Sequence, residues 1–147
     1  MKFEKFLKQV GTHGTVIERN ESEKWLVCGG VGMVIPRGVD NLLGTSTNSQ
    51  YVSIVNALAN AEYDDPVNLV KAVLLDATGN AKAIYRVFET DLGDTVGISN
   101  DAYGLLEKTD LLSYGELETE DEKIIKYILV YDQTGSILGF ITGSNKF

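Results

Sequence analysis

The sequence predicts an α+β domain: antiparallel strands at both ends of the chain, a central run of three short helices, and an amphipathic helix at the N-terminus. Three observations carry this reading. Apolar residues recur at helical spacing over residues 3–10 and again between residues 52 and 88. Residues 15–35 and 95–142 instead form short apolar runs of strand length, separated by polar and glycine-rich turns. At 147 residues, 44% apolar and 23% charged, the chain has the size and composition of one globular domain spanning 1–147.

The elements follow in order. Phe3, Phe6, Leu7 and Val10 make one helical stripe, and Gly11 is a natural stop. Thr15-Val-Ile-Glu-Arg and Lys24-Trp-Leu-Val-Cys flank Asn20-Glu-Ser-Glu as a hairpin, and Val31 to Ile35 forms a further short strand before the Pro36-Arg37-Gly38 turn. The first central helix is predicted from the capping-box spacing of Thr47 and Gln50 and the stripe Val52, Val55, Leu58, Ala59. Asp65-Pro66 reads as an N-cap and first helical proline, followed by Val67, Val70, Val73 and Leu74 at helical spacing. Asn80 caps the third helix, with Ile84, Val87 and Phe88 inward.

Strands resume with Thr95–Ser99 and Ala102–Leu106 around an Asn100-Asp101 turn, then Leu111–Leu117. The clearest pair is Ile124–Tyr131 with Ser136–Thr142, where Gly135 supplies the left-handed residue of a bulged type I turn. In the first of these strands Ile125, Tyr127, Leu129 and Tyr131 share one face, and Ile124, Ile128 and Val130 share the other with Lys126. Apolar on both faces, this strand belongs inside a sheet or beneath another chain.

The charge of −8 is unevenly distributed: six basic and five acidic side chains in residues 1–49, seven and sixteen in residues 50–147. Such a chain repels phosphate backbones, so no nucleic-acid partner is expected. Glu116, Glu118, Glu120, Asp121 and Glu122 read as a solvated turn. One cysteine makes no internal disulfide, the charged start Met-Lys-Phe-Glu-Lys-Phe-Leu-Lys is unlike a signal peptide, and no window is apolar enough to span a membrane.

Candidate chemistry concentrates between Gly11 and Gly44, which holds the only His, Cys and Trp. A hairpin turning at Glu21-Ser22 pairs residues whose numbers sum to 43. Thr15 then faces Cys28, with His13 diagonal to it on the same face. A Cys28–His13 pair beside glycine amides has the ingredients of a nucleophile, a base and oxyanion donors. It depends on register, because a slip of one residue separates the two side chains. A cysteine in an apolar strand is ordinarily a small buried hydrophobe.

Gly29, Gly30 and Gly32, with Arg37, form a possible binding loop. The dinucleotide fingerprint is incomplete, however, and a tight turn or glycine-kinked strand is the commoner use of such a run. One His and one Cys do not build a zinc site, and Asp64-Asp65 and Asp91-Leu-Gly-Asp94 lack calcium-loop spacing, so no metal or cofactor is expected. Tyr63, Tyr85, Tyr103 and Tyr114 sit beside polar or turn residues and are candidate interface anchors.

Four phrases occur together: Gly11-Thr-His-Gly-Thr, Trp25-Leu-Val-Cys-Gly-Gly-Val-Gly-Met, Asn41-Leu-Leu-Gly and Gly104-Leu-Leu-Glu-Lys. In them the chain resembles the small acidic proteins of tailed phages and prophages of gut Firmicutes, often encoded near head genes. The resemblance implies a virion-associated structural or assembly protein, of capsid accessory or decoration type, acting through contacts with itself or with capsid protein. Its expected location is the virion or the host cytoplasm. It carries over no catalytic or binding residue. Two alternatives stand beside it: a phage-encoded binder that sequesters a host defence factor or nucleotide signal, with Arg19, Arg37 or Arg86 turned to the ligand, and a Cys–His enzyme.

Overall fold

The structure, a computed structural model, describes residues 1–39, 49–76 and 82–147. Among them are nine strands in two antiparallel sheets and three helices. Helix α1 (Phe3–Val10) buries Phe6 and Val10 and ends at Gly11, which takes φ 57°. Strands β1 (Thr15–Asn20), β2 (Glu23–Cys28) and β3 (Val31–Val34) form one meander, and helix α2 (Ser49–Ala59) follows. Strands β4 (Val67–Asp76), β5 (Lys82–Thr90) and β6 (Thr95–Ser99) make the smaller sheet in that order. A single turn, α3 (Asn100–Tyr103), leads to a second meander of β7 (Leu111–Glu118), β8 (Ile124–Tyr131) and β9 (Ile137–Thr142).

The central run of three short helices is therefore corrected: among the described residues strand outweighs helix. Of the three predicted central helices only α2 forms. The other two segments are β4 and β5, a long hairpin running from Val67↔Thr90 to Asp76↔Lys82. Val67, Val70, Val73 and Leu74 do fit a helical stripe, but β4 carries three Val and β5 carries Ile, Tyr, Val, Phe and Thr, and such side chains favour a pleated surface. Asp65 does not cap a helix. Its carbonyl accepts from Tyr114 N at 2.8 Å and its N–H donates to Ser113 Oγ at 3.2 Å. Pro66 opposes Ser113 in an isolated bridge at the start of β4, a position where proline's missing donor is tolerated.

The strand predicted over Ala102–Leu106 is also absent. Ser99 Oγ accepts from Ala102 N at 3.2 Å and caps α3 instead. Thr47 of the predicted capping box and the Asn80 cap lie outside the described residues.

The larger sheet runs β1-β2-β3-β9-β8-β7, so the two meanders join at the β3–β9 pair. Both faces are buried. Ile17, Trp25, Val27, Tyr127, Leu129, Tyr131 and Phe140 pack with Val55 and Leu58 of α2. Val16, Leu26, Met33, Ile128, Val130 and Ile141 pack with α1, with Phe88, Val96 and Ile98 of the smaller sheet, and with Ala102 of α3. The interior strand β8 thus carries the two apolar faces read from its sequence. The chain end ties the sheets together: Ser144 N donates to Gly97 O at 2.7 Å, and the Phe147 ring covers the space a Gly97 side chain would need.

The core also sets an alkaline limit. Tyr131 is 1% exposed and its hydroxyl donates to Ala61 O at 2.8 Å. Burial, with Asp64 and Glu62 nearby, pushes its pKa up to about 12. The folded state therefore holds this proton more tightly than the unfolded chain, whose tyrosine titrates near 10. The stability it contributes is complete below pH 10 and lost as pH rises from 10 to about 12. Tyr131→Phe, followed by urea unfolding at pH 8 and pH 11, is expected to reduce this loss, the remainder coming from Tyr127 and Tyr114, whose pKa values burial also raises. An unchanged pH dependence would remove Tyr131 as its source.

Candidate functional site

The N-terminal hairpin turns where its sequence places the turn, at Glu21-Ser22, with Asn20 opposite Glu23 and Asn20 Oδ1 accepting from Ser22 N at 2.9 Å. A register shift between Glu18 and Asn20 then moves every earlier pair by one residue, so Thr15 faces Val27 rather than Cys28. This corrects the sum-of-43 register. Val16, Leu26 and Cys28 lie with the α1 side of the sheet, whereas Ile17, Trp25 and Val27 lie with the α2 side. His13 precedes β1, is exposed, and its backbone N–H donates to Val10 O at 3.0 Å. Cys28 is half-buried in a shallow depression lined by Phe6, Gln9, Val10 and Leu105. The diagonal Cys–His contact is not formed by this register.

The glycine run has structural work at each position. Gly29 and Gly30, at φ 59° and 80°, form the two-residue turn between Cys28 and Val31, the geometry of a type I′ hairpin. Gly30 O accepts from Thr142 N at 2.8 Å and from Thr142 Oγ1 at 2.6 Å. Gly32 lies opposite Phe140, whose ring occupies the place of a side chain. Arg37 is exposed in the turn beyond β3, at the end away from Gly29 and Gly30, so strand β3 sets it apart from the glycine turn. Arg19 is held by Glu23 at 2.7 Å and Asn60 at 2.6 Å, and Arg86 by Asn100 at 3.1 Å and the Tyr103 ring at 4.8 Å. Among the described residues no group of three His, Cys, Asp or Glu is placed to hold a metal ion.

Three other surface features stand out. A groove of about 830 Å³ runs between α2 and the tip of the β7–β8 hairpin, with Ile54, Ala57, Leu117 and Tyr127 below and Glu118, Glu120 and Asp121 along its lining. A cleft of about 710 Å³ opens where the two sheets meet, between the starts of β4 and β7 and the loop after α3. The third is the β4–β5 hairpin. Strand β6 reaches only Tyr85, so the last rungs, Leu74↔Ile84 to Asp76↔Lys82, have no third strand. Val70, Leu74 and Ile84 are 54%, 62% and 40% exposed.

Comparison with protein-family models, curated proteins and solved structures finds no match. No helix is long and apolar enough to cross a membrane among the described residues. The sequence had pointed to Tyr63 and Tyr103 as anchors, and both line the cleft. It had missed the exposed apolar hairpin, because helical spacing sends the same valines inward. The period-two alternative in residues 67–76 was the available signal.

Proposed function

We propose that this chain is a virion-associated structural or assembly protein that works through protein–protein contacts, first with further copies of itself. The exposed β4–β5 hairpin is the observation that supports the reading. Strand β4, ten residues long, ends the smaller sheet, so its outer N–H and C=O groups have no ladder partner among the described residues. Long apolar edge strands invite pairing with another chain, and soluble monomers usually blunt them. Here Lys71 is the one charge in Val67–Leu75. Two copies related by a two-fold axis through Ala72 would set Val70 of each against Leu74 of the other.

Light scattering across a concentration range tests this. The wild type is expected as a discrete oligomer, and Val70→Lys with Leu74→Lys is expected to return it to the 16.1 kDa monomer with its fold intact. A wild type that stays monomeric and also fails to cosediment with capsids would overturn the proposal.

A further inference from the structure

We infer that the cleft at the junction of the two sheets is a binding site for a planar aromatic anion, a flat ring system bearing a carboxylate or phosphate. This goes beyond the assembly reading: the cleft takes Val67, Asn68 and Leu69 from β4, but not Val70 or Leu74. The cleft has the anatomy of a ligand site: an apolar floor, aromatic walls and a few charged groups at the mouth, at a junction of two structural layers. Its volume of about 710 Å³ falls within the range of roughly 300–1,000 Å³ typical of small-molecule sites.

Phe88, 2% exposed, and Val67, 6% exposed, make the floor. Tyr63 and Tyr103 line the cleft, and each is held by another ring, Tyr63 against Tyr131 at 5.5 Å and Tyr103 against Phe88 at 6.2 Å. Rings anchored in this way lose little freedom when a flat group packs beside them, so the lining favours an aromatic ligand.

Lys2 and Lys108 are exposed in the lining and form no ion pair among the described residues. Asp110, also in the lining, is already neutralised: Oδ1 accepts from the Met1 amine at 2.8 Å and Oδ2 from Glu107 N at 2.9 Å. That leaves two exposed lysines against one exposed carboxylate, Glu107, in the lining, with Glu62, Asp64 and Asp65 close to Tyr63 in the chain. The two ammonium groups are the charges within the cleft that can pair with an anionic headgroup. The groove beside α2 has the opposite balance, with Glu118, Glu120 and Asp121 against Lys123 in its lining.

The test is amide-resolved NMR of the full chain titrated separately with 1-naphthyl phosphate, 1-naphthoate and neutral 1-naphthol. The expected result is saturable shifts at Tyr63, Leu69, Tyr103 and Lys108 with at least one anion, and binding about tenfold weaker or more for 1-naphthol. The tighter anion identifies the headgroup as phosphate or carboxylate. Lys2→Glu with Lys108→Glu is expected to weaken the anion about tenfold or more while leaving the melting temperature and the remaining amide shifts in place. Absence of saturable shifts, shifts centred elsewhere, equal binding of 1-naphthol, or a charge-reversed protein that binds as well as the wild type would each overturn the inference. Shifts that persist in the monomeric Val70→Lys, Leu74→Lys protein keep it independent of the assembly proposal.

Discussion

Replacing Gly139 with alanine is expected to destabilise the protein by roughly 3 kcal/mol or more, a large part of the stability of a domain this size. Gly139 lies opposite Met33 on β3 and Val130 on β8, at the seam where the two meanders meet. A Cβ there would overlap the Gly32 carbonyl oxygen and press on the Met1 sulfur. The sulfur belongs to a flexible side chain and can move. The carbonyl belongs to the backbone of a central strand, so relief requires β3 and β9 to part. Gly135→Ala is the control. Gly135, at φ 83° in the exposed β8–β9 turn, meets no neighbouring atom, so its cost is backbone strain alone, about 1–2 kcal/mol. Equal urea midpoints for the two variants would mean that the β3–β9 seam is not closely packed.

Trp25→Ala is expected to cost about 3–5 kcal/mol, and Trp25→Phe far less. Trp25 is 0% exposed, stacks on Phe140 at 6.0 Å between ring centroids, and belongs to the cluster that fixes α2 to the sheet. Alanine removes that packing and leaves a cavity in a face that a single helix covers. Phenylalanine keeps a ring against Phe140. It also removes the indole N–H, which is buried and has no acceptor among the described residues. A buried donor without a partner carries a desolvation penalty of about 1–3 kcal/mol, and its loss offsets part of the lost volume. Chemical unfolding followed by circular dichroism measures both variants. A phenylalanine variant as unstable as the alanine one would show that the indole N–H is satisfied after all, or that the cavity dominates.

Much of the local structure could be read from the residues. Gly135 and Asp132 announce the last hairpin: Asp132 Oδ1 accepts from the Thr134 hydroxyl at 2.5 Å, from Ser136 N at 3.0 Å and from Thr134 N at 2.8 Å, and these bonds hold its pKa below the usual carboxylate value. Gly29-Gly30 announces a tight turn, and a tight turn is what forms. The two apolar faces of Ile124–Tyr131 were equally open to reading, because a strand's period of two is a property of neighbouring residues. Helix α1 follows from Phe3, Phe6, Leu7 and Val10 for the same reason.

The middle of the chain and the candidate site were not open in this way. Residues 67–76 satisfy both a helical and a strand pattern, and only pairing with residues 82–90 selects the strand. The proposed His13–Cys28 pair failed on one residue, the shift between Glu18 and Asn20 that no turn signal announces. The cleft draws its lining from Lys2, Tyr63, Phe88, Tyr103 and Lys108, which come from four separate stretches of chain.

By itself the sequence determined the turns at Glu21-Ser22, Gly29-Gly30 and Asp132–Gly135, the first helix, the alternation within Ile124–Tyr131 and the acidic charge, because each rests on residues a few positions apart. The tertiary structure decided what depends on distant partners. It made β4 and β5 strands, set the register of β1 on β2, joined two meanders at β3–β9, and brought four remote segments to one cleft. Helix propensity differences amount to a few tenths of a kcal/mol per residue, whereas burying one large side chain is worth about 1.5–3 kcal/mol. Where local preference and long-range burial disagree, burial decides.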